Sequence, residues 1–276
     1  MLKRIISRLD VKNNSLVKGV NLEGLRNLGN PSYFSSIYYN EGIDEIYYQD
    51  VVASLYERNS IDKIIKTTAK DIFVAICVGG GLRNNYDIDR ALRNGADKIC
   101  LNSGAVRDPH IIKKAVSVYG SSTISVNIET ARVSDKYEVL IDCGRERTGI
   151  KLEEWLKKVQ DLGAGEIILT SIAYEGRQKG FDIDLYKGIK KYINVPLIAH
   201  GGAGTINHIV ELFKNCDVDG VALASLLHYS YMKKYNSDLD DGSKDFINNR
   251  FVSLKEKVTI KEIKKILKKN GSKVRS

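Results

Sequence analysis

Two stretches decide the fold: "VGGGLRN" at residues 78–84 and "AHGGAGTIN" at residues 199–207. Each reads as the end of an apolar strand, a glycine-rich turn and the start of a helix. The segments downstream of them are alike as well. "GADKICLNSGAV" (95–106) resembles "DVDGVALASLLH" (217–228). A single shift of 122 residues carries Gly80 onto Gly202, Asp97 onto Asp219 and Ser103 onto Ser225. Upstream, a shift of 121 lays "EGIDEIYYQD" (41–50) on "LGAGEIILTS" (162–171), and one of 119 lays "IISRLD" (5–10) on "ISVNIE" (124–129). The chain thus reads as two similar halves, about 1–120 and 121–245, whose loops differ in length.

Eight short apolar runs alternate with helix-like segments. The runs are Arg4–Leu9, Glu45–Gln49, Phe73–Val78, Lys98–Leu101, Thr123–Ile128, Glu166–Leu169, Pro196–Ala199 and Gly220–Leu223. "LEEWLKKVQDL" (152–162) is the clearest helix. Strictly alternating strands and helices predict a parallel sheet, and eight strands suit closure. The expected fold is α/β, a (β/α)8 TIM barrel of two half-barrels, with all 276 residues in one domain. Strands 1 and 5 of such a barrel face each other. Asp10 and Glu129, which end them, become equivalent acids across the mouth. The polar segment 229–252, with "NSDLDDGSKD", is expected as a surface excursion after strand 8. A closing helix is expected within about 258–270.

Composition narrows the function. The apolar fraction of 43% supports a sizeable core. The net charge of +9 is dispersed and carries no nucleic-acid signature, so the expectation is an anionic small molecule and no nucleic acid. Cys77, Cys100, Cys143 and Cys216 show no CxxC spacing, so neither a zinc site nor a redox pair is indicated; no metal and no cofactor are expected. No leader pattern and no 18-residue apolar span stands out, and a soluble cytoplasmic protein without a membrane partner is expected.

In this fold, active sites lie at the C-terminal ends of the strands. There the first half offers Gly80 and Gly81 with Asn102 and Ser103. The second half offers Gly201 and Gly202 with Ala224 and Ser225. Glycine lets backbone N–H groups approach an anion closely, so each set is a candidate phosphate cradle. Two opposed cradles imply a long ligand with two phosphates. Asp10 and Glu129 would stand between them, as a pair for general acid–base work. Lys18, expected in a short loop ("NNSLVKG"), could close over the anion. At the opposite end, Arg4, Glu45, Lys98 and Glu166 begin strands 1, 2, 4 and 6. Their charges cancel, so a closed ionic ring is expected; a purely structural plug would use the same residues.

Together "KRIISRLD", "LVKG", "VGGG", "GADKICLNS", "GAGEIILTS", "GFD" and "PLIAHGGAG" resemble the cyclase subunit of imidazole glycerol phosphate synthase, HisF. The resemblance runs from Leu2 to about His228 and resumes in the last helix. It implies a lyase/cyclase of histidine biosynthesis. Ammonia would come from a glutaminase subunit of the HisH type, docked on the N-terminal face of the barrel. It would cleave and cyclise a bisphosphorylated ribulosyl intermediate to imidazole glycerol phosphate and an aminoimidazole ribotide. By the same resemblance Asp10, Glu129 and Lys18 hold catalytic positions. Gly81, Asn102 and Ser103 match one phosphate site. Gly176, Gly202, Ala224 and Ser225 match the other. Arg4, Glu45, Lys98 and Glu166 match an ammonia gate. Two departures stand out. The strand 5 acid of the family is usually Asp, and here it is Glu129. The family's Asp-Arg-Asp-Gly turn is Ala173-Tyr174-Glu175-Gly176. They leave open an alternative: a paralogue that supplies ammonia for acetamidino modification of a nucleotide sugar in surface-glycan synthesis.

Overall fold

The computed structural model describes residues 2–53, 61–232 and 254–275. Its strands are β1 (Arg4–Lys12), β2 (Ser15–Val20), β3 (Glu23–Gly29), β4 (Glu45–Asp50), β5 (Ala75–Gly79), β6 (Lys98–Leu101), β7 (Ile124–Val133), β8 (Lys136–Ile141), β9 (Glu146–Lys151), β10 (Glu166–Ser171), β11 (Leu197–His200) and β12 (Gly220–Leu223). Eight of them pair in parallel, in the order β1, β4, β5, β6, β7, β10, β11, β12, and β12 returns to β1. The closed eight-stranded parallel barrel with intervening helices is the expected TIM barrel. Each of the eight apolar runs contributes one barrel strand, and β1 and β7 lie opposite each other.

The helices among the described residues are α1 (Pro31–Asn40), α2 (Asp62–Thr68), α3 (Asn85–Arg93), α4 (Ser103–Arg107), α5 (His110–Tyr119), α6 (Leu152–Asp161), α7 (Ile183–Ile189), α8 (Ile206–Asn215), α9 (Ser225–Tyr231) and α10 (Ile260–Lys269). In α6 the buried residues Leu152, Trp155, Leu156 and Val159 recur at helical spacing, and Glu153 and Glu154 sit in the first turn, where the helix dipole favours them. The closing helix α10 starts on a reciprocal capping box between Thr259 and Glu262.

The structure departs from the sequence expectation in four places. Lys18 lies on β2, not in a short loop. β1 runs past the barrel and folds back into an antiparallel β1–β2–β3 ribbon; β7 does the same with β8 and β9. These hairpins obey the half-barrel symmetry, yet their outer strands β3 and β9 are largely solvent-facing and lack the apolar runs of the barrel strands. Asn13 and Ser134, both at positive φ, turn the chain back. Phe73 stands outside β5 and is 79% exposed. Finally, Tyr229–Tyr231 belong to α9 rather than to an excursion, and Tyr231 is buried against Tyr38. The stretch 233–252 of that excursion lies outside the described residues.

Candidate active site

The barrel interior is layered. At its N-terminal end, Arg4 pairs with Glu45 at 2.8 Å and with Glu166, while Lys98 pairs with Glu45 at 3.0 Å and with Glu166. The four residues expected to form a ring thus do so. Burial disfavours the Lys98 cation, but Glu45 and Glu166 outweigh it and hold the ammonium above its ordinary range. Above the ring, Ile6, Tyr47, Cys77, Cys100, Ile168, Ile198 and Ala222 form an apolar layer of their own. The described cysteines are all unpaired thiols. Above that comes a polar collar of Arg8, Asn127, Thr170 and His200, and then the acids of the mouth.

The C-terminal end opens into two cavities. The larger spans about 750 Å³, including space open to solvent, and is lined by Asp10, Lys18, Gly80, Gly81, Asn102, Ser103 and Glu129, with Arg8, Arg83, Arg107 and Cys143 also on its wall. The smaller, about 250 Å³, is lined by Glu175, Gly176, His200, Gly201, Gly202, Ala224 and Ser225. Every top-face candidate read from the sequence borders one of them, and the two glycine-rich turns fall in different cavities. The backbone there needs glycine. Gly202 has φ +118°, and a Cβ on it would collide with the carbonyl oxygen of Gly180, whose N–H donates to the Gly202 carbonyl at 2.9 Å. A Cβ on Gly176 would fall 2.7 Å from the Gly19 carbonyl oxygen.

The two acids sit in different settings. Glu129 is buried at the point where β7 leaves the barrel. Its Oε1 accepts from Asn102 Nδ2 at 3.0 Å and its Oε2 from the Gly144 N–H at 2.9 Å. Burial pushes its carboxyl up to about 7, against the opposing pull of Arg8 and of both hydrogen bonds. Asp10 is also buried, and its Oδ1 accepts from Arg8 Nε at 2.9 Å.

Lys18 is not a free loop cation. It is 1% exposed and ion-paired with Glu175; its Nζ also donates to the Gly19 carbonyl at 3.0 Å. Burial opposes its charge, but Glu175 and Asp10 outweigh that and hold its ammonium above the ordinary range. Glu175 also accepts from the Leu22 N–H at 2.9 Å. The departing turn Ala173-Tyr174-Glu175-Gly176 therefore supplies the counter-charge that locks β2 over the mouth. Ser103 Oγ is also engaged, accepting from the Asp142 N–H at 2.9 Å.

Sequence reasoning missed Arg8 and His200. Arg8 donates to Asp10 and reaches Thr170 Oγ1 at 3.5 Å and His200 Nδ1 at 3.3 Å. Burial, with Arg8 and Lys18 nearby, pushes His200 well below its ordinary range, so its imidazole is neutral. A usable signal existed for Arg8. Residues 4, 6, 8 and 10 alternate along β1, and the ring residue Arg4 and the mouth acid Asp10 mark the inward face. Among the described residues no His/Cys/Asp/Glu group could hold a metal ion, and no helix is long and apolar enough to cross a membrane.

Comparison with known proteins shows the family. The family model described as "Histidine biosynthesis protein" matches residues 4–233. Among curated relatives, the imidazole glycerol phosphate synthase subunit HisF of Legionella pneumophila is 46% identical over 204 residues, 74% of this chain and 96% of that protein. The HisF subunit of Methanococcus vannielii is 42% identical, covering 83% of this chain and 92% of its own length. That of Lactococcus lactis subsp. cremoris is 38% identical, covering 91% and 95%. The chain therefore belongs to the histidine biosynthesis protein family, among the HisF subunits of imidazole glycerol phosphate synthase.

Proposed function

We propose that the chain is the ammonia-using cyclase subunit of imidazole glycerol phosphate synthase, a lyase of histidine biosynthesis. The observation that carries this is a pair of glycine-walled cavities at the barrel mouth, the larger of which holds two buried acids in unlike settings. Such a site fits a long bisphosphorylated ligand whose middle is the reacting part. The cradles of Gly80, Gly81, Asn102 and Ser103 and of Gly176, Gly201, Gly202, Ala224 and Ser225 anchor its two ends.

Cleavage and cyclisation of the ribulosyl intermediate need a base and an acid close to one another. Glu129, held near 7, is available in both protonation states at neutral pH and suits the proton-shuttling role. Asp10, fixed by Arg8, faces the same cavity and takes the opposed role. Lys18 helps to screen the ligand from water as part of β2. Ammonia enters from a glutaminase subunit of the HisH type, docked on the N-terminal face, through the ring of Arg4, Glu45, Lys98 and Glu166. Exposed Leu2 and Phe73, which precede β1 and β5 at that end, give such a partner an apolar foothold. The sugar-nucleotide alternative gains no support over this reading, since the three relatives all carry the HisF name. Turnover of the ribulosyl intermediate with ammonium chloride, measured by the appearance of the imidazole product, tests it.

A further inference from the structure

The collar contains a feature that the ring at the other end does not explain. Arg8 is a permanent cation with 1% of its surface exposed, placed in the barrel lumen. Its guanidinium lies over the Tyr47 ring, 5.4 Å from the centroid, and so rests on the apolar layer. Laterally it is held by Asp10 at 2.9 Å, by His200 Nδ1 at 3.3 Å and by Thr170 Oγ1 at 3.5 Å. These partners come from β1, β11 and β10, so the side chain spans the lumen instead of lying along one wall. Beside it, Asn127 donates nothing: its Oδ1 accepts from Thr170 Oγ1 at 3.2 Å, while its buried Nδ2 has no partner among the described residues. A small acceptor passing through the collar can meet this donor.

We infer that Arg8 is an upper gate of the lumen, a positioning residue that closes the barrel beneath the two cradles and admits a small neutral acceptor through the collar. This rests on the reading that ammonia travels through the barrel. The gate suits ammonia by its chemistry. Neutral ammonia carries a lone pair that can accept from Asn127 Nδ2. Ammonium carries none and would meet the Arg8 cation in a low-dielectric interior. The hold on Arg8 is also tied to the site, because Asp10 both anchors the guanidinium and faces the ligand cavity. A ligand that engages Asp10 loosens the gate from above. The device thus releases ammonia when there is something for it to attack.

Closure can be tested without reference to catalysis. Cys77 lies in the apolar layer with no exposed surface, Cys143 lines the mouth, and Cys216 sits outside the barrel at the end of α8. The purified chain is treated with methyl methanethiosulfonate, and each cysteine's labelling rate is read by peptide mass spectrometry. In Arg8→Ala, Cys77 is expected to label at least about tenfold faster than in the unmodified chain, with Cys216 unchanged as the control against general loosening. Arg8→Gln, shorter and neutral but still polar, is expected to fall between the two and serves if the alanine variant does not fold. Equal Cys77 rates in all forms overturn the gate. In the reconstituted complex with its glutaminase subunit, glutamate released per imidazole product is expected to be near one, and to rise at least about twofold in Arg8→Ala. A ratio that stays near one in the variant also overturns the gate. If the unmodified complex makes no product, the proposed function fails, whereas the labelling result still decides closure.

Discussion

Asn102 donates its Nδ2 to Oε1 of Glu129 at 3.0 Å, so one residue both lines the larger cavity and grips the acid on β7. In the proposed function this single side chain would couple ligand binding to acid–base chemistry. The longer acid is matched to this geometry. Its second oxygen reaches the Gly144 N–H, which the turn after β8 brings to 2.9 Å.

Glu129→Gln is expected to lower kcat by about 10²- to 10⁴-fold, the usual worth of a positioned acid–base group. Glu129→Asp is shorter by one methylene and cannot keep both hydrogen bonds, so a loss of about tenfold or more is expected. Steady-state kinetics with ammonium chloride as nitrogen source measure both. An increase in turnover for the aspartate variant would contradict this fit between the longer acid and its pocket.

The same carboxyl predicts a pH dependence. Its folded value, about 7, lies above the ordinary carboxylate value of 4.5. The folded state therefore binds more protons than the unfolded one between those values. Its contribution to stability is fully present below about 4.5 and is lost as pH rises through about 7. Thermal unfolding from pH 5 to pH 8 should show this loss in the unmodified chain and a shallower slope in Glu129→Gln. Identical slopes would mean that the carboxyl titrates normally.

The Lys18–Glu175 pair is buried on both sides. Removing one partner strands the other charge, so Lys18→Met is expected to cost about 3–5 kcal/mol. The double variant Lys18→Met/Glu175→Gln should recover most of that stability in chemical denaturation without recovering activity. A single variant as stable as the parent would show that the pair is not held closed in solution.

Gly202→Ala places a methyl group against the Gly180 carbonyl at a φ that favours glycine. Weaker binding of inorganic phosphate at the smaller cavity is expected, by at least about tenfold in calorimetry. Gly188→Ala, in open space on α7, should leave it unchanged. Equal affinities in both variants would remove Gly202 from the cradle.

Barrel topology was legible because the repeat is written in apolar runs and glycine turns, which depend on local backbone needs. Asp10, Glu129 and the ring residues were legible for the same reason: strand ends fix their height in the barrel. The fate of Lys18 was not, because its partner Glu175 is far away in sequence and only the folded β2 brings them together. Arg8 shares the inward face of β1 with Arg4 and Asp10, so its direction was legible from strand alternation. Its partners were not, because Thr170, His200 and the Tyr47 ring are distant in sequence and meet it only in the folded barrel. The hairpins after β1 and β7 were less legible because their outer strands, β3 and β9, face solvent and carry no apolar run.

The most direct test of the central claim is turnover of the bisphosphorylated ribulosyl intermediate by the purified chain with ammonium chloride, read as the two products together. Imidazole glycerol phosphate and aminoimidazole ribotide are expected in equal amounts, with the rate lost in Asp10→Asn. No product at saturating ammonium, or an undiminished rate in Asp10→Asn, would contradict it.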